Sequence, residues 1–297
     1  MKKGVRRGLV VVGVLALAAY ATPMVYLKAN ERRLVFHPEA VGGRMVAPLP
    51  DSLHLIAERV QFTTADSVRI AALVIPAADS AAQWLLYFHG NGGNVTSSDR
   101  PLFYARWHGL GLNVLAVDYR GYGESGDQQP SETGTYADAR AAYEWLRTVR
   151  NVPADRIIIY GHSLGTGVAT ELALHVQAAG LILEGAFTSV PDIGQRMYPY
   201  FPIRLLSTQR FANLEKIGHV AMPKLIMHAS DDAEIPYAHG QLLFAAATAP
   251  KDWVELHGGH MRAFLDDSAH FWGHTRSFVE RLRNDMPSAE SPPPGRQ

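Results

Sequence analysis

The stretch IIIYGHSLGTG, residues 157–167, carries the strongest local signal in the chain. Three isoleucines and a tyrosine predict a short buried strand, and the small residues after Ser163 predict the start of a helix. Ser163 itself stands in the pattern G-x-S-x-G. Where a strand turns sharply into a helix, a Cβ atom at either flanking position would collide with the neighbouring strand or helix, so both flanking positions need glycine. Such a turn lifts the serine hydroxyl clear of the backbone and makes Ser163 a candidate nucleophile.

The composition narrows the class of protein. Of the 297 residues, 47% are hydrophobic and 19% are charged, which is ordinary for a globular chain. Lys and Arg together number 28, as do Asp and Glu, so the charge gives no indication of a nucleic-acid partner. The absence of cysteine from the sequence excludes disulfide bonds, a thiolate nucleophile and a cysteine-based zinc site.

Short apolar runs alternate with helical patterns along the chain, which predicts an α/β fold with a mostly parallel sheet flanked by helices. Helical spacing marks residues 131–149, 166–176 and 268–283, with Ser131 as a candidate N-cap. Gly, His, Ser and Asp residues gather where the strands end, at the edge of the sheet where ligands bind in such folds. The eight predicted strands are ERVQFTT (58–64) and VRIAALVIP (68–76), an antiparallel opening pair, then QWLLYF (83–88), LNVLAVD (112–118), RIIIY (156–160), GLILEG (180–185), KLIMHA (224–229) and KDWVEL (251–256).

A serine hydroxyl is a weak nucleophile unless a base takes its proton and an acid holds that base in the correct tautomer. Asp231 and Asp232 follow one predicted strand, and His257 and His260 follow the next. The two glycines before His260 give it freedom to reach back toward the serine. Pro236 is placed to open the next helix, which leaves Asp232 in the loop between strand and helix.

Acyl transfer also needs backbone N–H groups that face the developing negative charge. One predicted donor is the amide of Leu164, which directly follows Ser163 at a helix start. The other is the amide of Asn91 in HGNGGN, residues 89–94, whose glycines allow close approach of the backbone. A phosphate-binding loop is excluded because no G-K-[ST] follows these glycines.

The first residues indicate a membrane segment. MKKGVRR carries four cations and no acid, and Gly8 to Leu27 is an uncharged run of 20 residues. That length is enough for a helix to cross a hydrocarbon core of ~30 Å. Ala19-Tyr20-Ala21 resembles a signal-peptidase site, which would release a secreted protein. The apolar run continues beyond that site, so an uncleaved signal anchor over residues 1–29 is favoured, with the remainder outside the cytoplasm.

The rest of the chain divides into a predicted catalytic domain, residues 30–283, and a Pro-rich disordered tail, 284–297. Between the sixth and seventh strands, residues 186–222 form a short predicted lid that contains RMYPYFPIRLL (196–206). One interpretation of this aromatic and proline-rich stretch is a connection packed on the core. The other is an apolar wall for an acyl chain, or a patch that touches the bilayer beside the anchor.

Six segments resemble, in order, the α/β-hydrolase superfamily: YFHGNGGN, DYRGYGES, YGHSLGTG, LILEGAFTS, HASDDAEIP and GGH. Within it they are similar to the membrane-anchored, serine-aminopeptidase-like branch that includes protein depalmitoylases. The resemblance covers roughly residues 30–282 and implies an α/β-hydrolase fold with an eight-stranded sheet. It implies no metal and no organic cofactor. The positions it implies for the site are Ser163 as nucleophile, Asp232 as acid, His260 as base, and Asn91 and Leu164 as oxyanion-hole residues.

The expected function is a serine hydrolase that cleaves carboxylic esters or thioesters with an apolar acyl part, through an acyl-enzyme. A serine peptidase would bind the amino terminus of its substrate with carboxylates near the lid, where the sequence has few (Asp192, Glu215). A histidine-based metallohydrolase is disfavoured because HGGH (257–260) lacks a carboxylate or third histidine at helical spacing. A non-catalytic membrane-tethered binding module would tolerate the loss of a catalytic residue, whereas the nucleophile, acid and base are all present.

Overall fold

A twisted sheet of eight strands forms the centre of the protein, in a computed structural model that describes residues 3–40, 42–79 and 81–285. The strand order is β1-β2-β4-β3-β5-β6-β7-β8. β2 runs antiparallel to its two neighbours, β1 and β4, and all other pairs of neighbouring strands are parallel. The predicted mostly parallel eight-stranded sheet is therefore confirmed. The strands are β1 (Glu58–Thr63), β2 (Arg69–Ile75), β3 (Trp84–Phe88), β4 (Asn113–Val117), β5 (Ile157–His162), β6 (Gly180–Glu184), β7 (Lys224–Ala229) and β8 (Lys251–Leu256).

Helices cover both faces of this sheet. The helix predicted from residue 131 is present as α4, and the hydroxyl oxygen of its N-cap Ser131 accepts a hydrogen bond from the Gly134 amide at 3.1 Å. The other two predicted helices are also present, as α5 and α11. The helices are α1 (Lys3–Ala29), α2 (Glu31–Val35), α3 (Arg100–Gly109), α4 (Glu132–Thr148), α5 (Leu164–His175), α6 (Val190–Met197), α7 (Ile203–Leu206), α8 (Asn213–Lys216), α9 (Tyr237–Ala246), α10 (Gly259–Asp266) and α11 (Ser268–Asn284).

The core lies in two layers, one on each face of the sheet. In β3, Leu86 and Phe88 belong to the layer under α4 and α5, whereas Leu85 and Tyr87 belong to the layer under α3 and α11. All five residues of β3 are buried. A strand that is covered on both faces is apolar throughout, which is why these strands are conspicuous in the sequence as continuous apolar runs.

The segment between β6 and β7, where the lid was predicted, contains the short helices α6, α7 and α8. It packs beside α1, whose stretch Arg6–Ala29 is long and apolar enough to cross a membrane. The Tyr20 hydroxyl of α1 donates to the carbonyl of Tyr200 at 2.9 Å. From residue 286 onward, the predicted C-terminal tail lies outside the described residues.

Candidate active site

Ser163 occupies the sharp turn between β5 and α5, with φ 51° and ψ −120°. A residue with a side chain rarely adopts such a φ, and conformations of this kind are concentrated at functional sites. The flanking glycines are required, as predicted. A Cβ atom on Gly161 would lie 2.4 Å from the carbonyl oxygen of Gly165, and one on Gly165 would lie 2.1 Å from that of Phe88.

A continuous chain of hydrogen bonds links three of the residues selected from the sequence. His260 Nε2 lies 2.8 Å from Ser163 Oγ, and His260 Nδ1 lies 2.6 Å from Asp232 Oδ2. Because a carboxylate can only accept, Nδ1 carries the proton and Nε2 is left to accept from the serine hydroxyl. The imidazole is therefore held in the tautomer that a general base requires.

His260 lies in a helix rather than in the loop from which it was expected to reach back. It is the second residue of α10, and Gly258 immediately before that helix has φ 103°, in the region that favours glycine. The Gly258-Gly259 pair therefore starts a helix instead of giving the histidine freedom. The first turn of α10 holds the ring in one place.

Asp232 lies in the loop after β7, and each of its carboxylate oxygens has a distinct set of partners. Oδ1 accepts from the amides of Glu234 at 2.9 Å and Ile235 at 2.8 Å. Oδ2 faces the imidazole of His260. Both the carboxylate and the imidazole are almost completely buried. The backbone thus fixes the direction in which Asp232 presents its charge.

Asp231 and His257, the alternatives that the sequence left open, face elsewhere. The Asp231 carboxylate accepts from the amides of Gly258 at 3.2 Å and Gly259 at 3.0 Å. His257 Nδ1 lies 3.1 Å from Ser230 Oγ, and this histidine is exposed. Neither side chain is bonded to Ser163.

Burial and hydrogen bonding act in opposite directions on the pKa values of this pair. Burial favours the neutral imidazole, but the hydrogen bond and the charge of Asp232 outweigh it and raise the pKa of His260 above its usual value. Burial likewise opposes ionisation of Asp232, yet hydrogen bonds from His228 and His260 lower its pKa. Asp232 is therefore ionised at neutral pH and stabilises a proton on the imidazole.

Two buried polar residues at the site, His162 and Glu184, were not predicted to contribute. Burial lowers the pKa of His162 to about 3, so its ring is neutral, and its Nε2 donates to the carbonyl of His260 at 3.1 Å. Burial raises the pKa of Glu184 to about 7, and the Tyr160 hydroxyl donates to its carboxyl group. Their positions in the sequence could have indicated a role at the site, because each is the last residue of a buried strand. In the structure they pair with each other across β5 and β6.

Ser163 opens onto a cavity of about 660 Å³. Asn91 and Leu164 line the same cavity, and Leu164 is the first residue of α5, so its amide belongs to a helix N-terminus. The carbonyl of Asn91 accepts from the His37 amide at 2.9 Å and from the Tyr122 hydroxyl at 2.8 Å, which fixes this turn. The volume lies within the roughly 300–1,000 Å³ that is common for small-molecule sites.

Apolar side chains from two distant parts of the chain form most of the cavity wall. One group belongs to the ends of α1 and α2, and the other belongs to α6, α7 and the turns near Ser163. The apolar residues are Leu27, Leu34, Val35, Leu164, Phe187, Val190, Ile193, Met197, Tyr198, Ile203, Leu206, Ala233 and Ile235. The segment that follows the apolar helix is thus part of the site.

Comparison with known proteins agrees with this architecture. The sequence model described as the alpha/beta hydrolase family matches residues 85–212. An uncharacterized protein of Mycobacterium tuberculosis is 36% identical over 258 residues, covering 86% of this chain and 88% of that protein. The chain belongs to the α/β-hydrolase family.

One further relative of this α/β-hydrolase and one protein of similar structure carry activities in their names. Lysophosphatidylserine lipase ABHD12 of Danio rerio is 33% identical over 213 residues, covering 66% of this chain and 54% of that protein. An esterase of Pyrococcus furiosus has a solved structure with a TM-score of 0.69 at 20% identity, covering 82% of this chain and 98% of that one. The second likeness shows that the fold is shared.

Proposed function

We propose that this α/β-hydrolase is a serine hydrolase that cleaves carboxylic esters or thioesters with an apolar acyl part. The observation that carries the proposal is the hydrogen-bonded chain from Ser163 through His260 to Asp232 at the edge of an apolar cavity. The same residue order along the chain, Ser then Asp then His, is typical of this fold. The lipase among its relatives supports the same class of reaction.

The proposed reaction passes through an acyl-enzyme. Ser163 Oγ attacks the carbonyl carbon while His260 Nε2 takes the hydroxyl proton, and the amides of Asn91 and Leu164 stabilise the negative charge that develops on the carbonyl oxygen. His260 then gives the proton to the leaving alcohol or thiol as its bond to the carbonyl carbon breaks. Water repeats the attack, with His260 again as base, and releases the acid and free Ser163. Asp232 holds the imidazole and stabilises its protonated form throughout.

Labelling with a fluorophosphonate and turnover of a p-nitrophenyl ester series test this proposal. Ser163→Ala is expected to abolish both, because it removes the only attacking oxygen in the scheme. Ser277→Ala is the matched control, since Ser277 is an exposed serine in α11 whose hydroxyl only bonds Gly273. Full labelling of Ser163→Ala would overturn the nucleophile assignment. A folded wild-type protein that neither labels nor turns over ester would instead indicate a non-catalytic binding module.

We also propose that α1 is an uncleaved membrane anchor, with the domain at 30–283 outside the cytoplasm. The cations at the start of the chain and the apolar stretch Arg6–Ala29 support this arrangement. Cleavage after Ala21 would also remove Tyr20, which bonds the predicted lid. Mass spectrometry of the membrane-bound protein is expected to find residues before 22, and a mature chain starting at Thr22 would show a secreted enzyme.

A serine peptidase is the second candidate, and one observation favours it. Glu234 lines the cavity, its side chain is 64% exposed, and its Oε2 lies 3.9 Å from His260 Nε2. A carboxylate in that position suits a substrate's free amino group. Side-by-side turnover of leucine p-nitroanilide and p-nitrophenyl butyrate distinguishes the two functions. Faster turnover of the anilide, lost in Glu234→Gln, would favour the peptidase.

A further inference from the structure

Three large apolar side chains protrude from the predicted lid. The exposed fractions are 65% for Met197, 84% for Tyr200 and 86% for Leu205. Isolated exposed apolar residues are normal on a protein surface, but these three lie together around the α6–α7 turn. We call Met197, Tyr200 and Leu205 the lid tip.

The lid tip touches the apolar helix well inside the stretch that could cross a membrane. Tyr20 donates to the carbonyl of Tyr200 at 2.9 Å, and its ring stacks on Phe201 with the centroids 5.4 Å apart. Tyr20 precedes Ala29, where that stretch ends, by nine residues, which is about 14 Å of helix at 1.5 Å per residue. If α1 crosses a bilayer along the whole of this stretch, the contact between Tyr20 and the lid tip lies below the membrane surface, inside the hydrocarbon core.

A largely buried carboxylate fixes the other end of the lid against the end of α1. Glu31, at the start of α2, accepts hydrogen bonds from Ser207 Oγ at 2.6 Å, from Thr208 Oγ1 at 2.6 Å and from the Gln209 amide at 2.9 Å. The side chain of Glu31 is only 13% exposed. Lys28 adds a hydrogen bond to the carbonyl of Leu206 at 2.6 Å. The lid therefore cannot change its height relative to α1 without breaking this set of bonds.

We propose that the lid tip inserts into the lipid bilayer beside the anchor and that the cavity takes its ester substrate directly from the membrane. Met197 belongs both to the lid tip and to the cavity wall, so the apolar surface is continuous from the bilayer to the site. Arg196 and Arg204 next to the lid tip are exposed cations, and Arg204 pairs with Asp192 at 2.9 Å. Long cationic side chains of this kind can lay their apolar stems along the acyl region while their charged ends reach the lipid headgroups. The substrate route depends on the proposed esterase activity, whereas the bilayer contact does not.

Spin labelling tests the contact without any use of activity. Because the chain has no cysteine, Leu205→Cys provides one unique site for a nitroxide in the full-length protein. In vesicles of equal parts phosphatidylcholine and phosphatidylglycerol, this label is expected to be reached more readily by oxygen than by a water-soluble nickel chelate. Val149→Cys is the matched control, since Val149 is 58% exposed and follows α4 at the opposite edge of the sheet. A Leu205 label as accessible to nickel as the Val149 label would overturn the proposal, and so would one shielded from both reagents.

The substrate route is tested with the same full-length enzyme. Leu205→Glu is expected to slow turnover of a long-chain ester in those vesicles by about tenfold, with turnover of water-soluble p-nitrophenyl acetate unchanged. Val149→Glu should change neither. Equal vesicle turnover by Leu205→Glu and wild type would overturn membrane entry. A wild-type enzyme that fluorophosphonate does not label would instead contradict the proposed function, independently of the spin-label result.

Discussion

Replacing Asp232 with asparagine tests whether this carboxylate holds His260 in the tautomer that the proposed reaction needs. The amides of Glu234 and Ile235 both donate to Oδ1, so an asparagine at 232 has to place its oxygen there. Its NH₂ group then takes the position of Oδ2 and points at His260 Nδ1. Because an NH₂ group only donates, Nδ1 must accept and the ring proton must move to Nε2. In that tautomer His260 has no lone pair with which to take the Ser163 proton.

The expected loss is large. In a serine protease the same change lowers kcat by about 10⁴ through the same tautomer effect, which corresponds to about 5.4 kcal/mol of activation free energy at ~1.36 kcal/mol per tenfold. Asp231→Asn is the matched control, since Asp231 bonds only the exposed amides of Gly258 and Gly259 before α10. Its asparagine keeps one acceptor, and we expect turnover within about tenfold of wild type.

The assay is kcat/KM for p-nitrophenyl butyrate, with melting curves to show that both variants are folded. Reversed losses would identify Asp231 as the catalytic acid. Small losses in both variants, with folding intact, would refute the tautomer argument itself. If Asp232→Asn lowers both kcat/KM and the melting temperature, the fluorophosphonate labelling rate of the folded fraction separates a loss of catalysis from a loss of folded protein.

Three more predictions concern other parts of the structure. His260 can act as a base only when its imidazole is neutral, and its pKa is raised, so kcat/KM should fall on acidification with an apparent pKa above 6.5. A kcat/KM that stays constant below that pH would refute a histidine base. Gly165→Ala places a Cβ 2.1 Å from the Phe88 carbonyl oxygen, so we expect a loss of about 3 kcal/mol or more in urea unfolding, whereas Gly273→Ala, with open space around it, should not destabilise. Glu31→Ala should raise KM for long-chain esters by about tenfold with kcat for a short ester unchanged, and equal KM values would show that the lid does not need this carboxylate.

Buried strands are the part of this fold that a sequence describes most directly. All eight predicted strands lie within two residues of the observed bounds. The six inner strands, β2 to β7, are buried on both faces and therefore form continuous apolar runs, whereas the edge strand β1 shows the alternation of a strand that is buried on one face. Helix α3 was not predicted, although Pro101 in its first turn and the spacing of Phe103 and Trp107 are consistent with a helix. Arg100, the first residue of α3, is buried. A charged residue therefore stands where the amphipathic pattern of a helix would have an apolar one, so the start of the helix is not recognisable from the sequence.

For the candidate site, residue types and order along the chain indicated which side chains to compare, and their geometry required the folded chain. The Gly-Gly pair before His260 is typical of a loop, and only the packing of α10 turns it into a helix start. The bonds of Glu31 to residues 207–209 join positions 176 or more apart in the sequence. No local pattern predicts such a contact, because the partners acquire their common location only when the lid and the first helix assemble.

One consequence follows from the cavity wall that Leu27, Leu34 and Val35 supply. The segment that joins the apolar helix to the hydrolase domain is more than a linker, because each change in its length or side chains also changes the shape of the cavity beside Ser163. Under the proposed function and membrane anchoring, selection on where the enzyme resides and on what it hydrolyses would therefore act on the same few residues. Relatives that exchanged this segment would then exchange chain-length preference with it, while their reacting groups stayed identical.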